Sequence, residues 1–136
     1  MKVKVEKDPT LDACTITHVA VRLETPEDLA EWRAQLMAGM EAAAGSGRVY
    51  LLVDYRGFWI NPLLADEYGK VAEELRRRFA IDVFRYGAED PLSSASARLQ
   101  AMRRSHASNL FATRREAIAA LVKARATAGP SKGPGR

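Results

Sequence analysis

Reactive side chains are sparse in this chain. Its 136 residues hold two histidines, His18 and His106, and one cysteine, Cys14. The nearest approach to a nucleophilic set is Ser105-His106 with Asp54 as a distant carboxylate. Adjacent residues on a helix point about 100° apart, so this serine and histidine cannot easily share a hydrogen bond. No Gly-x-Ser-x-Gly elbow is present in the sequence. A metal centre needs several convergent Cys, His or carboxylate ligands, and two distant histidines with one cysteine do not supply them. Gly45-Ser46-Gly47 precedes a strand pattern rather than a helix, so it reads as a turn and not as a phosphate cradle. The expectation is a non-enzyme with no catalytic residue, metal or cofactor.

Binding chemistry is better represented. Asp54 ends a buried strand pattern, and the loop Asp54–Pro62 follows it. In parallel sheets such loops, at strand C-termini, gather ligands. Arg85 and Tyr86 end the next strand, so they should neighbour that loop. Arg56, Trp59, Arg85 and Tyr86, with Asn61 at a helix start, would form one aromatic-basic binding patch. It would suit an acidic or phosphorylated protein segment, or a small anionic ligand. Each member also has a plainer reading. Asp54 is a common turn former before Gly57, an Arg85–Asp54 ion pair would brace the sheet end, and Trp59 is either core cover or an interface anchor. His18, in a strand, reads as a satisfied structural histidine. His106 suits a helix C-terminus.

The elements that position these residues follow from patterning. Val3 and Val5 alternate with charged neighbours in a first strand. Ala13–Leu23 reads as one second strand, with Cys14, Ile16, His18 and Ala20 on one face and Val19, Val21 and Leu23 on the other. Thr25-Pro26-Glu27-Asp28 is a helix start, and Leu29, Trp32, Leu36, Met40 and Ala43 form its apolar stripe. Val49–Val53 is a central strand covered on both faces. Asn61-Pro62 starts a second helix with the stripe Leu64, Tyr68, Val71, Leu75 and Phe79. Ile81–Tyr86 is the fourth strand. Asp90-Pro91 starts a third helix, anchored by Leu92, Leu99 and Met102. Asn109–Ala112 is a short fifth strand. Thr113-Arg114-Arg115-Glu116 is a capping box for a fourth helix carrying Ile118, Leu121 and Val122. The predicted fold is α/β, a mixed and largely parallel sheet of about five strands with an N-terminal antiparallel hairpin and four helices, in the order ββαβαβαβα. Residues 1–126 make one domain, with Leu52, Val53, Trp32 and Leu121 in its core, and residues 127–136 a disordered tail.

Composition fits that picture. Hydrophobic residues are 47% and charged residues 28% of the chain, ordinary globular values. No apolar run reaches the roughly 18 residues of a membrane span, and a single cysteine precludes an intrachain disulfide, which suits a reducing cytoplasm. The net charge of +4 hides an asymmetry. Residues 1–75 carry 8 basic and 13 acidic side chains, residues 76–136 carry 13 and 4. Such a split can mark a surface for nucleic acid. Here no recognition motif or aromatic platform accompanies it, so it reads as solvated faces of arginine-rich helices, and no nucleic-acid partner is expected.

The element order resembles the SpoIIAA-like and STAS (sulfate transporter and anti-sigma factor antagonist) domains. Leu51–Phe58 is similar to their buried strand with its following aspartate and turn glycine, and Phe111–Leu121 to the closing strand and helix of SpoIIAA-like domains. The resemblance covers residues 2–125. It implies a non-catalytic regulatory module that binds a protein partner; a homodimer is compatible with it. STAS-type antagonists carry a phosphorylatable serine at the start of the helix after the central strand. The matching positions here, about Asn61, Pro62 and Leu63, have no hydroxyl, so switching at that site is not expected. The stretch Val53–Phe58, with Asn61-Pro62, Tyr68 and Arg85-Tyr86, is also similar to a small module appended to some bacterial CoA-transferases, whose catalytic parts have no counterpart here. The alternative function is a carrier or sensor of an anionic small molecule such as a nucleotide, CoA or lipid headgroup.

Overall fold

The computed structural model describes residues 1–45, 47–87 and 109–128. An antiparallel hairpin, β1 (Lys2–Asp8) and β2 (Ala13–Val19), opens a five-stranded mixed sheet. β4 (Val49–Asp54) pairs parallel with β2, β6 (Ala80–Tyr86) with β4, and β7 (Leu110–Phe111) with β6. The spatial order is β1-β2-β4-β6-β7. Helices α1 (Pro26–Ala44), α2 (Ala65–Phe79) and α3 (Arg114–Ala128) complete the described residues. The helix expected from Asp90-Pro91, with Leu92, Leu99 and Met102, lies outside them, as does the Ser105-His106 pair. So do residues 129–136, whereas Thr127 belongs to α3 and not to a tail.

Two expectations about strands are corrected. Ala13–Leu23 is not one strand. Ala20 takes a left-handed φ of 52°, and the chain turns out of the sheet there into β3 (Val21–Leu23). One residue out of extended geometry resets the side-chain alternation. Cys14, Ile16 and His18 are buried, and so are Val21 and Leu23, while Val19 is 51% exposed. The segment Phe58–Ile60, expected as loop, is strand β5 and pairs parallel with β3 in a separate two-stranded sheet. Phe58 and Ile60 point inward and Trp59 outward, the alternation of a half-buried strand. The element order is therefore βββαββαββα with a 3-10 turn, Pro62–Leu64, between β5 and α2.

Helix starts follow local chemistry. The Thr25 hydroxyl accepts from the Asp28 amide at 3.2 Å, and the Asp28 carboxylate accepts from the Thr25 amide at 3.2 Å. Thr113 and Glu116 form the same reciprocal box at α3. Such caps contribute about 1 kcal/mol each. The sheet then separates two cores. On one face Leu36 and Met40 of α1 and Tyr68, Val71 and Leu75 of α2 pack on Cys14, Ile16, Leu51, Val53 and Val83. On the other, Ala117 and Leu121 of α3 pack on Leu52, Phe84 and Tyr86. Leu52, Val53, Trp32 and Leu121 are all buried, as their patterning predicts. Among the described residues, no helix is long and apolar enough to cross a membrane.

Candidate functional site

The C-terminal ends of β4 and β6 lie side by side, with Val53 opposite Arg85 and Asp54 opposite Tyr86. This places the expected binding residues close together in the chain trace. Their side chains, however, go three ways, because successive strand residues project to opposite faces of a sheet.

Asp54 and Tyr86 face one another on the α3 side. The Asp54 carboxylate accepts the Arg56 amide at 2.9 Å and the Arg56 guanidinium at 3.0 and 2.6 Å. Burial pushes the Asp54 carboxyl up, but the hydrogen bonds and charge of Arg56, with a hydrogen bond from Tyr86, outweigh it and hold the group below the usual carboxylate range. The Tyr86 hydroxyl is pushed up by burial, then by the Asp54 charge and by its hydrogen bond to that carboxylate. Arg56 lies 5.7 Å from the Tyr86 ring. Asp54 is thus the turn former that its type suggests. Its ion partner is Arg56, two residues on, and not Arg85. Gly57 completes the turn at φ 75°, and a β-carbon there would sit 2.8 Å from the His18 carbonyl oxygen.

Arg85 goes to the opposite face. It is 3% exposed, and its Nη1 has no hydrogen-bond partner among the described residues. It lines a cavity of about 20 Å³ together with Ile16, His18, Trp32, Val53, Tyr55, Tyr68 and Ala72, room for about one water. Around the cavity stands a bonded aromatic group. The His18 Nδ1–H donates to the Asp54 carbonyl at 2.7 Å, and the Trp32 Nε1–H donates to His18 Nε2 at 3.2 Å. A carbonyl only accepts and an indole only donates, so these two partners fix the tautomer of a neutral His18. The Tyr55 and Tyr68 hydroxyls bond to each other. Trp32 stacks on Tyr68 at 5.4 Å between centroids, and His18 on Tyr55 at 5.7 Å. His18 is therefore a satisfied structural histidine, as its strand position suggests.

Trp59 takes the third direction. Half-buried on β5, it lies beneath Arg22 of β3, whose guanidinium carbon is 4.2 Å from the ring centroid. Arg22 also bonds Glu24 at 2.6 Å. Ala20, Val21, Arg22, Gly57, Phe58 and Trp59 line an open groove of about 350 Å³. Asn61 caps the 3-10 turn by accepting from the Leu63 amide at 3.0 Å, and its own amide donates to the Glu24 carbonyl at 3.3 Å. It holds β5 against the start of α1 rather than presenting a long helix N-terminus.

The single patch expected from Arg56, Trp59, Asn61, Arg85 and Tyr86 is thus two surfaces and an interior. Sequence reasoning missed Arg22, Tyr55 and Tyr68 as neighbours of the site. The exposed position of Arg22 between buried Val21 and Leu23 is the one signal that points to it. Among the described residues, no group of three or more His, Cys, Asp or Glu side chains converges as a metal site would require. Comparison with protein-family models, with curated proteins and with solved structures gives no match.

Proposed function

We propose that this chain is a non-catalytic regulatory protein-interaction module of STAS or SpoIIAA-like type that engages an acidic partner segment through the β3–β5 sheet. The supporting observation is Trp59, half-buried under Arg22 beside the open groove. Tryptophan and arginine are both residue types enriched at interface hot spots. A partner carboxylate would compete with Glu24 for Arg22 and gain a charge-assisted hydrogen bond. Arg22 and Trp59 stand opposite one another in the register of that two-stranded sheet.

Selection of displayed peptides on the immobilised full chain tests this reading. The expected binders are acidic, and they lose at least about tenfold in affinity on Trp59→Ala and on Arg22→Ala, with melting curves showing both variants folded. Binders indifferent to both substitutions would remove the β3–β5 surface from the proposal.

A second reading, a carrier or sensor of an anionic small molecule, is favoured by one observation, the buried Arg85 Nη1 without a hydrogen-bond partner among the described residues.

A further inference from the structure

β1 ends the five-stranded sheet, and among the described residues no strand pairs with its outer edge. An edge of that kind is a template for another chain. The hairpin register shows which groups β1 presents there. Antiparallel partners alternate between pairs that exchange amide–carbonyl bonds and pairs that exchange none. Val3 stands opposite His18, yet the Val3 amide donates to the Gln35 side-chain carbonyl at 2.9 Å. Val3 is thus turned away from β2. The Glu6 carbonyl, by contrast, accepts the Thr15 hydroxyl of β2 at 3.3 Å. Parity then directs the amides and carbonyls of Lys2, Lys4, Glu6 and Asp8 to β2, and those of Val3, Val5 and Lys7 outward.

Side chains alternate along the same strand. Val3 and Val5 pack against the core under α1 and α2, which leaves Lys2, Lys4, Glu6 and Asp8 on the opposite face. Lys4 and Glu6 are exposed. A second β1 joins this edge only where outward-turned residues meet outward-turned residues, as they do about a two-fold axis through one residue. An axis at Val3 sets Lys2 against Lys4. An axis at Lys4 or at Glu6 sets that residue against itself, and one at Lys7 sets Glu6 against Asp8. Within Val3–Lys7, only an axis at Val5 opposes no like charges. It sets Lys4 against Glu6 and Lys2 against Asp8 of the second copy. These are non-bonded pairs, whose side chains come closest, and opposite charges there stabilise the pairing. Asp8 contributes less, because its carboxylate already accepts the Thr10 and Leu11 amides at 3.0 and 3.2 Å. A row of lysines alone would guard the edge. Here the charge changes sign about Val5, so the strand complements its own reversal.

We propose that this chain forms a two-fold dimer by antiparallel pairing of β1 with β1 of a second copy, centred on Val5. The Val5 amide and carbonyl bond those of the second Val5, and Val3 bonds Lys7. Gln35 yields the Val3 amide and keeps its bond to Glu31 at 3.3 Å. Ala38 and Ala42, exposed on α1 three and seven residues after Gln35, share its helix face and leave room for the second α1. The interface uses none of the residues assigned to binding an acidic segment.

Sedimentation equilibrium of the full chain tests the proposal. The expected mass rises from monomer to dimer with concentration. Lys4→Glu and Glu6→Lys each set like charges opposite one another at both symmetry-related pairs, and each should weaken the dimer by at least about tenfold while melting curves show a folded chain. An equimolar mixture of the two variants restores opposite charges at both pairs and should recover a dimer near wild-type strength. A wild type that stays monomeric at every soluble concentration would overturn the proposal. So would a dimer that both substitutions leave intact, or one that the mixture fails to restore. Hydrogen exchange on the wild type keeps the test decisive if a variant does not fold. The Val5 amide should gain protection as the dimer forms, and exchange at Val5 that ignores dimer formation would overturn the β1 interface.

Discussion

The two tryptophans of this chain sit on the two sides of one structural boundary. Trp32 is 3% exposed and donates to His18 inside the aromatic group of the larger core. Trp59 is half-buried on β5 with its open face under Arg22. Phe58 joins them: its ring lies 5.8 Å from that of Trp32, while its backbone belongs to the same strand as Trp59. The same residue type is thus a structural element on one side and, in the function proposed above, an interaction surface on the other. What separates them is the partner of the indole and the burial of the ring. If the comparison is right, substitutions on the Trp32 side act on stability and substitutions on the Trp59 side act on binding.

Trp32→Ala carries the largest expected effect. It removes a buried ring in contact with His18, Phe58 and Tyr68 and leaves His18 Nε2 without its donor. The loss should be about 3–5 kcal/mol, read by urea unfolding. A loss under about 1 kcal/mol would erase the distinction between the two tryptophans.

Gly57→Ala probes the turn that joins the two sides. The residue has φ 75°, and an added β-carbon would meet the His18 carbonyl oxygen at 2.8 Å. Both the left-handed backbone and the backbone contact oppose a side chain. An expected cost of about 1–3 kcal/mol, again from urea unfolding, should come with loosening of β5, seen as faster amide exchange at Asn61, whose N–H donates to the Leu23 carbonyl. Unchanged exchange there would mean that β5 is held by Phe58 and Ile60 burial alone.

Much of this arrangement is legible in the sequence, and the failures have common causes. Thr25 and Thr113 announce their helices because a capping box is local chemistry. The apolar run Leu51-Leu52-Val53 announces a strand buried on both faces for the same reason. The break at Ala20 is silent, because a left-handed alanine carries no mark such as glycine or asparagine would give. The strand at Phe58–Ile60 is too short for its alternation to stand out from a loop of large residues. Chain proximity at strand ends suggests a patch of Arg56, Trp59, Arg85 and Tyr86, but strand parity sends Arg85 and Tyr86 to opposite faces. Burial of a charged residue such as Arg85 runs against its type, so nothing in the sequence signals it.

Asp54→Asn tests the α3 side of the sheet end by pH. The Asp54 carboxyl is held below its ordinary range by Arg56 despite burial. A depressed folded pKa contributes stability that is present above the unfolded value, about 4, and is lost as pH falls through the folded value. Wild-type stability should therefore fall as pH drops below about 4, and part of that fall should vanish in Asp54→Asn. The contribution is at most about 1 kcal/mol, since Arg56 is largely exposed. A fall of equal steepness in both proteins would show that other carboxylates carry the acid dependence.

Trp59→Ala carries the smallest effect on stability and the largest on the proposed function. The substitution removes the ring beneath Arg22 but opens no enclosed cavity, because one face of Trp59 already borders the groove. The cation–π contact at an exposed site contributes about 0.5–1 kcal/mol. Phe58 and Ile60, the inward-facing neighbours, keep their packing. Urea unfolding should therefore report a loss near 1 kcal/mol or less, against several for Trp32→Ala. Peptides selected on the wild-type chain should at the same time lose binding to the folded variant. A Trp59→Ala loss as large as that of Trp32→Ala would make β5 a wall of the core, and the outward face of the β3–β5 sheet would then serve packing rather than recognition.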